Sequence, residues 1–285
     1  MQRDLPPVAH KNDFIERDER TVSLTDCGWK IDLGEGPLVA TAIHDGHDVR
    51  PEVLEHMVLS DGDRRREEDP HTALWTRIAP TKVIVSTSRF EVDLNRPRDK
   101  AVYRSPEDAW GLKVWRHGLP DDIADRSLRR YDRFYRDVGE LFRDLSSRYG
   151  RFLVYDLHSY NQRREGPDGP AAEVTTNPQV NVGTGTMGDR SRWAPVIDAF
   201  IGALRRVEFP SGNLDVRENV KFRGGQFGRW THAAFPDSAC VLSIELKKFF
   251  MDEWSGRHDP VLLEAIEGAL LATVPVVMDA LAGTR

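Results

Sequence analysis

Four short, almost continuous apolar runs limit what this chain can fold into: LVATAI (38–43), KVIVS (82–86), FLVYDL (152–157) and VLSIEL (241–246). Each has the length of a strand. None shows the strict alternation of a sheet with one wet face, so they predict strands covered on both sides. Between them the period changes. Over 121–148, Tyr131, Phe134, Tyr135, Val138, Leu141, Phe142 and Leu145 recur at three-four spacing, and Gly150 stops that helix just before a strand. Trp193, Ile197, Phe200, Ile201 and Leu204 make a second stripe in 191–207. Leu262, Ala265, Ile266, Ala269 and Leu270 make a third in 260–281, where Pro275 is expected to kink or split the helix. Strands alternating with helices predict an α/β fold, a mostly parallel or mixed central sheet flanked by helices. The expected organisation is a polar, irregular lead-in arm with short strands over 1–35 and a single α/β domain over 36–285. GDRRREEDP (62–70) reads as a charged surface loop.

Composition narrows the partners. Forty Lys and Arg against 46 Asp and Glu leave a net charge of −6, without the basic footprint of a nucleic-acid binder. No apolar run has transmembrane length, and the N-terminus, MQRDLPPVAHKNDF, lacks the apolar core of a secretion signal. A soluble cytoplasmic protein without membrane partners is expected. Cys27 and Cys240 lie far apart, without metal-type spacing, and read as small buried apolar residues.

In an open α/β sheet, ligands sit beyond the carboxyl ends of the strands. LVATAI is followed by His44-Asp45-Gly46-His47, FLVYDL by His158, and VLSIEL contains Glu245. Alone, each has a structural explanation: a hydrogen-bonded histidine, or a glutamate in a buried ion pair. Together, at ends expected to converge, they suit a zinc site with three protein ligands and a carboxylate acting as general base. Arg89, Asn95, Arg96 and Arg98 crowd the stretch after KVIVS, and Arg223 and Arg229 flank the glycines of FRGGQFGRW. Guanidinium forks suit substrate carboxylates, although any one of them has surface acids to pair with. GTGTMG (183–188) matches a dinucleotide-binding pattern literally, but the preceding TTNPQVNV contains Pro178 and too few apolar residues for a central strand. It reads instead as a glycine-rich turn into a helix capped by Asp189 or Ser191. No G-x-S-x-G nucleophile elbow is present.

DLHSY (156–160) resembles the His-Ser-Tyr segment of zinc carboxypeptidases, SIEL their glutamate-bearing strand, and DLNR (93–96) their Asn-Arg pair. With HDG (44–46), SRFEVDLNR (88–96) and FRGGQFGR (222–229), the chain over 38–250 most resembles the N-formylglutamate amidohydrolase family, which has a zinc carboxypeptidase-like fold. The resemblance implies that His44 and His158 bind one zinc per chain and that Glu245 is the general base. It also implies that Arg96, with Asn95 and Arg89, holds a substrate carboxylate. Carboxypeptidases carry His-x-x-Glu where this chain has His44-x-x-His47, so His47 is expected as the second ligand, with Asp48 and Glu52 as fallbacks. Asp156 shares a strand face with His158 and has either an orienting or a plain structural role. Arg223 or Arg229 is expected at a second carboxylate or at the oxyanion. The activity implied is zinc-dependent hydrolysis of an N-acyl amino acid, first N-formyl-L-glutamate to L-glutamate and formate. The alternatives are a zinc carboxypeptidase, another N-acyl amino-acid deacylase, or a non-catalytic binder of acidic ligands.

Overall fold

The computed structural model describes residues 21–24 and 27–284, and most of the arm expected over 1–35 lies outside the described residues. In chain order the elements are β1 (Thr21–Leu24), β2 (Trp29–Asp32), β3 (Leu38–Ala42) and three short helices, α1 (Pro51–Leu54), α2 (Asp61–Glu67) and α3 (Thr72–Trp75). Then come β4 (Thr81–Val85), α4 (Asp121–Tyr149), β5 (Phe152–Tyr160), β6 (Val180–Gly183), α5 (Arg190–Arg206), β7 (Val216–Glu218), α6 (Gln226–Ala234), β8 (Ala239–Lys247) and α7 (Pro260–Gly283).

The strands form one sheet in the order β1-β2-β4-β3-β5-β8-β6-β7. Its centre, β4-β3-β5-β8, is parallel and contains the four apolar runs. β2 joins β4 antiparallel at one side, and β6 joins β8 antiparallel at the other, so the sheet is mixed. Every residue of β5 is buried, which is why its sequence does not alternate. Phe152 and Val154 point into a core shared with α4 and α6, whereas Leu153, Tyr155 and Leu157 point into one shared with α5 and α7. Period two carries Asp156 and His158 onto the α4–α6 side. A third cluster, built around Val53, Phe90, Tyr103 and Trp115, holds the long excursion between β4 and α4 in place.

Three expectations need correction. The charged stretch 62–70 is mostly helix α2, with Arg64, Glu68 and Asp69 buried. Ser60 caps α2 by accepting the Asp63 N–H, acids occupy the first turn and arginines the last, in line with the helix dipole. The segment before GTGTMG does contain a strand, β6, between β8 and β7. It starts after Pro178, buries Val180 and Val182, and uses Asn181 to hold the Lys221 N–H and the Phe222 carbonyl. Finally, Pro275 does not split α7, which runs unbroken over Pro260–Gly283 and, by length and composition alone, is apolar enough to cross a membrane. Its buried face, including Leu263, Ile266, Leu270 and Val277, packs into the core with α5. Asp189 caps α5, and both cysteines are buried.

Candidate active site

His44, just beyond β3, and His158, near the end of β5, converge as expected, with ring centroids 5.0 Å apart. The third member of the group is Asp69, from the turn after α2. One donor atom from each of His44, Asp69 and His158 lies within 4.8 Å of the others. Both rings turn Nδ1 towards Asp69 Oδ2, at 3.5 Å from His44 and 2.9 Å from His158. Each Nε2 faces another buried carboxylate: that of His44 is hydrogen-bonded to Asp93 Oδ1 at 2.8 Å, and that of His158 lies 3.0 Å from Asp156 Oδ2 in an ion-pair contact. This is how metal-binding histidines are oriented, with the second ring nitrogen held by a carboxylate. Asp156 is itself fixed by the Thr41 hydroxyl at 2.7 Å.

The electrostatics agree. Burial opposes charge on Asp69, but the bonds from His158 and His44 prevail and hold its carboxyl below the ordinary range. Burial likewise opposes a charge on His158, yet Asp156 and Asp69 raise its pKa well above the usual value. Carboxylates on both sides of one ring draw positive charge, as a ring proton or as a neighbouring divalent cation. Two imidazoles and a carboxylate are a donor set such a cation accepts.

Glu245 is the register partner of His158 on β8 and opens onto the same cavity, of about 330 Å³. Burial pushes its carboxyl up to about 7 against the pull of His158. Among the described residues it makes no ion pair or hydrogen bond.

His47 stands apart from the group. Its Nδ1 meets Glu68 Oε2 at 2.6 Å and its Nε2 meets Arg64, so the ring sits in a pair that precedes Asp69 in the chain. Of the fallbacks, Asp48 is exposed and Glu52 pairs with Arg50 and Arg126. Arg89 lines the cavity but is engaged, by Asp93 at 2.8 Å, the Glu67 carbonyl at 3.2 Å and the Tyr103 hydroxyl at 3.3 Å. Arg96 lines the cavity, and among the described residues its side chain has two polar partners, Asp93 at 3.8 Å and the Asp108 carbonyl at 3.4 Å. Asn95 Oδ1 accepts the Phe227 N–H at 3.0 Å, capping α6 from another loop, and its Nδ2 lies 3.4 Å from His158 Nε2. The N-cap residue of α6 is Gly225, where a Cβ would fall 2.1 Å from Asn95 Oδ1. Arg223 is exposed and lines the cavity, lying across Gly185, where a Cβ would come within 2.8 Å of the arginine's own Cβ. Gly183, where a Cβ would come within 2.6 Å of the Gly224 N, and Gly185 therefore serve loop packing. Arg229, exposed on α6, lies outside the cavity lining.

Sequence reasoning missed three residues. Asp69 was hidden in a stretch read as surface. Asp93 belongs to the DLNR motif itself, whose Asn and Arg carry the more obvious substrate-binding chemistry. Lys248, just past β8, is buried and donates to the carbonyls of Arg66 at 2.6 Å and Glu68 at 2.7 Å and to Asn161 Oδ1 at 3.0 Å. It clamps the segment that delivers Asp69; its only signal was a lysine directly after a buried strand.

The solved N-formylglutamate amidohydrolase from Ralstonia eutropha JMP134 is similar, with a TM-score of 0.70 and 17% identity, covering 91% of this chain and 100% of that one. A gene product from Agrobacterium tumefaciens gives a TM-score of 0.62 and 19% identity over 90% of this chain and 95% of its own. Carboxypeptidase A from Helicoverpa armigera is a looser likeness, with a TM-score of 0.45 and 14% identity over 90% and 65%. No curated protein matches by sequence. At the first two identities the likeness is one of fold. The family is decided by sequence, through residues 36–250, a stretch that includes His44, Asp69, His158 and Glu245. This chain belongs to the N-formylglutamate amidohydrolase family and is a hydrolase acting on an amide.

Proposed function

We propose that this protein is a zinc-dependent hydrolase of N-formyl-L-glutamate, releasing L-glutamate and formate. The observation that carries the reading is the buried His44–Asp69–His158 group with Glu245, unpartnered among the described residues, on the neighbouring strand, all lining one small cavity that also presents Arg96 and Arg223. His44 Nδ1, Asp69 and His158 Nδ1 would hold the metal, which supplies Lewis acidity and lowers the pKa of water. Glu245, with its carboxyl near 7, takes a proton from the attacking water as the new C–O bond forms at the formyl carbon. It returns that proton to the amide nitrogen as the C–N bond breaks, so that an amine and formate leave. Arg96 and Arg223 hold the two carboxylates of the substrate. The cavity, about 330 Å³, is at the small end of ligand sites (roughly 300–1,000 Å³), which favours a single acylated amino acid over a peptide.

The test combines metal analysis with formate release. Wild type should contain about one zinc per chain and hydrolyse N-formyl-L-glutamate in preference to N-acetyl-L-glutamate and N-formyl derivatives of neutral amino acids. Glu245→Gln should keep its metal and lose several orders of magnitude in kcat. Wild-type protein that takes up no divalent metal on reconstitution, or a Glu245→Gln variant with near-full turnover, overturns the mechanism.

A further inference from the structure

Trp110 has a backbone conformation that bulky residues rarely adopt, with φ +55° and ψ 28°, at the end of the short 3₁₀ turn Pro106–Ala109. Its indole is 42% exposed and lines the cavity. Such a position suits glycine, so the side chain has to be what earns its place there. Two guanidiniums flank it, Arg89 at 4.7 Å and Arg96 at 5.7 Å from the ring centroid, and Arg96 also lies 5.9 Å from the Tyr103 ring. Tyr103 meets Trp110 edge-on at 5.9 Å.

The two arginines differ in what neutralises them. Arg89 is bound tightly to Asp93, whereas among the described residues Arg96 has no anion closer than that same carboxylate at 3.8 Å. An aromatic face attracts a guanidinium without taking up its N–H donors or cancelling its charge. Resting on the proposed reading of this pocket, we propose that Trp110 is a positioning residue. It steadies the Arg96 guanidinium without pairing its charge, and so leaves the N–H donors that the Asp108 carbonyl does not take for a substrate carboxylate. A carboxylate in its place would hold the arginine equally well but would compete with the substrate.

The experiment is steady-state hydrolysis by wild type, Trp110→Phe and Trp110→Gly of N-formyl-L-glutamate and of its two monoamides, each lacking one carboxylate charge, with thermal unfolding and metal content measured alongside. For Trp110→Gly, KM for N-formyl-L-glutamate should rise about tenfold and kcat change by less than about threefold, the size of one lost cation–π contact. Metal content and Tm should hold, because glycine is at ease with a positive φ. Trp110→Phe should recover most of the KM. One monoamide, the one lacking the carboxylate that Arg96 grips, should show no KM penalty from the substitution. An unchanged KM in Trp110→Gly, an equal rise for all three substrates, or no recovery with Phe overturns the inference. Failure of the underlying reading shows separately, as wild type that hydrolyses none of the three, and the inference falls with it.

Discussion

Asp69 and His47 are the two candidates for the third place at the proposed metal site, and two substitutions separate them. Asp69→Ala should abolish metal retention, because it removes the one carboxylate that both His44 and His158 face. His47→Gln should keep the metal, because the amide can still donate to Glu68 and His47 stands outside the group. Metal analysis of the two purified variants decides, and the reverse pattern would restore His47. His232 supports a second prediction at this scale. Burial lowers its pKa to about 4, and its Nε2 accepts the Val241 N–H at 3.0 Å. Between pH 6.5, its ordinary value, and about 4, the unfolded chain binds a proton that the folded chain refuses, so stability falls as pH drops through that window. The loss should reach about 3 kcal/mol at most, and His232→Gln should flatten that part of the curve in urea unfolding between pH 7.5 and 4. Parallel curves would remove His232 from the account. His44, His158 and Glu245 were legible because strand ends and period-two parity are local properties. Asp69 was not, because a carboxylate in a run of charges is the same residue whether solvated or buried.

Among the elements, α2 is a helix whose sequence reads as a charged loop, and it delivers Asp69 to the site. Its signals were present, with Ser60 as cap, Asp61 and Asp63 in the first turn and Arg64, Arg65 and Arg66 in the last. What hid them was the absence of an apolar stripe, since α2 buries Arg64 rather than a row of aliphatic side chains. Ser60→Ala should destabilise the protein by about 1 kcal/mol, read as a lower urea midpoint with an unchanged m-value. At the start of α6, Gly225→Ala should drive a methyl group into Asn95 Oδ1 and dislodge the cap from Phe227. Because Asn95 also reaches His158, activity should fall along with Tm, and a fully active Gly225→Ala enzyme would show that this contact is dispensable.

For the whole molecule, the metal group joins the ends of β3 and β5 to the turn after α2, so an ion there ties together segments distant in the chain. Chelation should therefore lower Tm in wild type and leave Asp69→Ala unaffected. Restoring zinc to about 100 times its Kd should return about 2.7 kcal/mol, and thermal unfolding against free zinc measures this. A wild-type Tm indifferent to metal would count against the site. By itself the sequence determined the α/β class, the four central strands, and the face that Asp156 shares with His158, because hydrophobic continuity and strand parity act over a few residues. Only the tertiary structure decided which acids join the histidines, which arginine is paired closely with Asp93 and which is not, and that Lys248 clamps the segment carrying Asp69. Those outcomes depend on which charges are buried together, and that is set by packing between segments far apart in the chain.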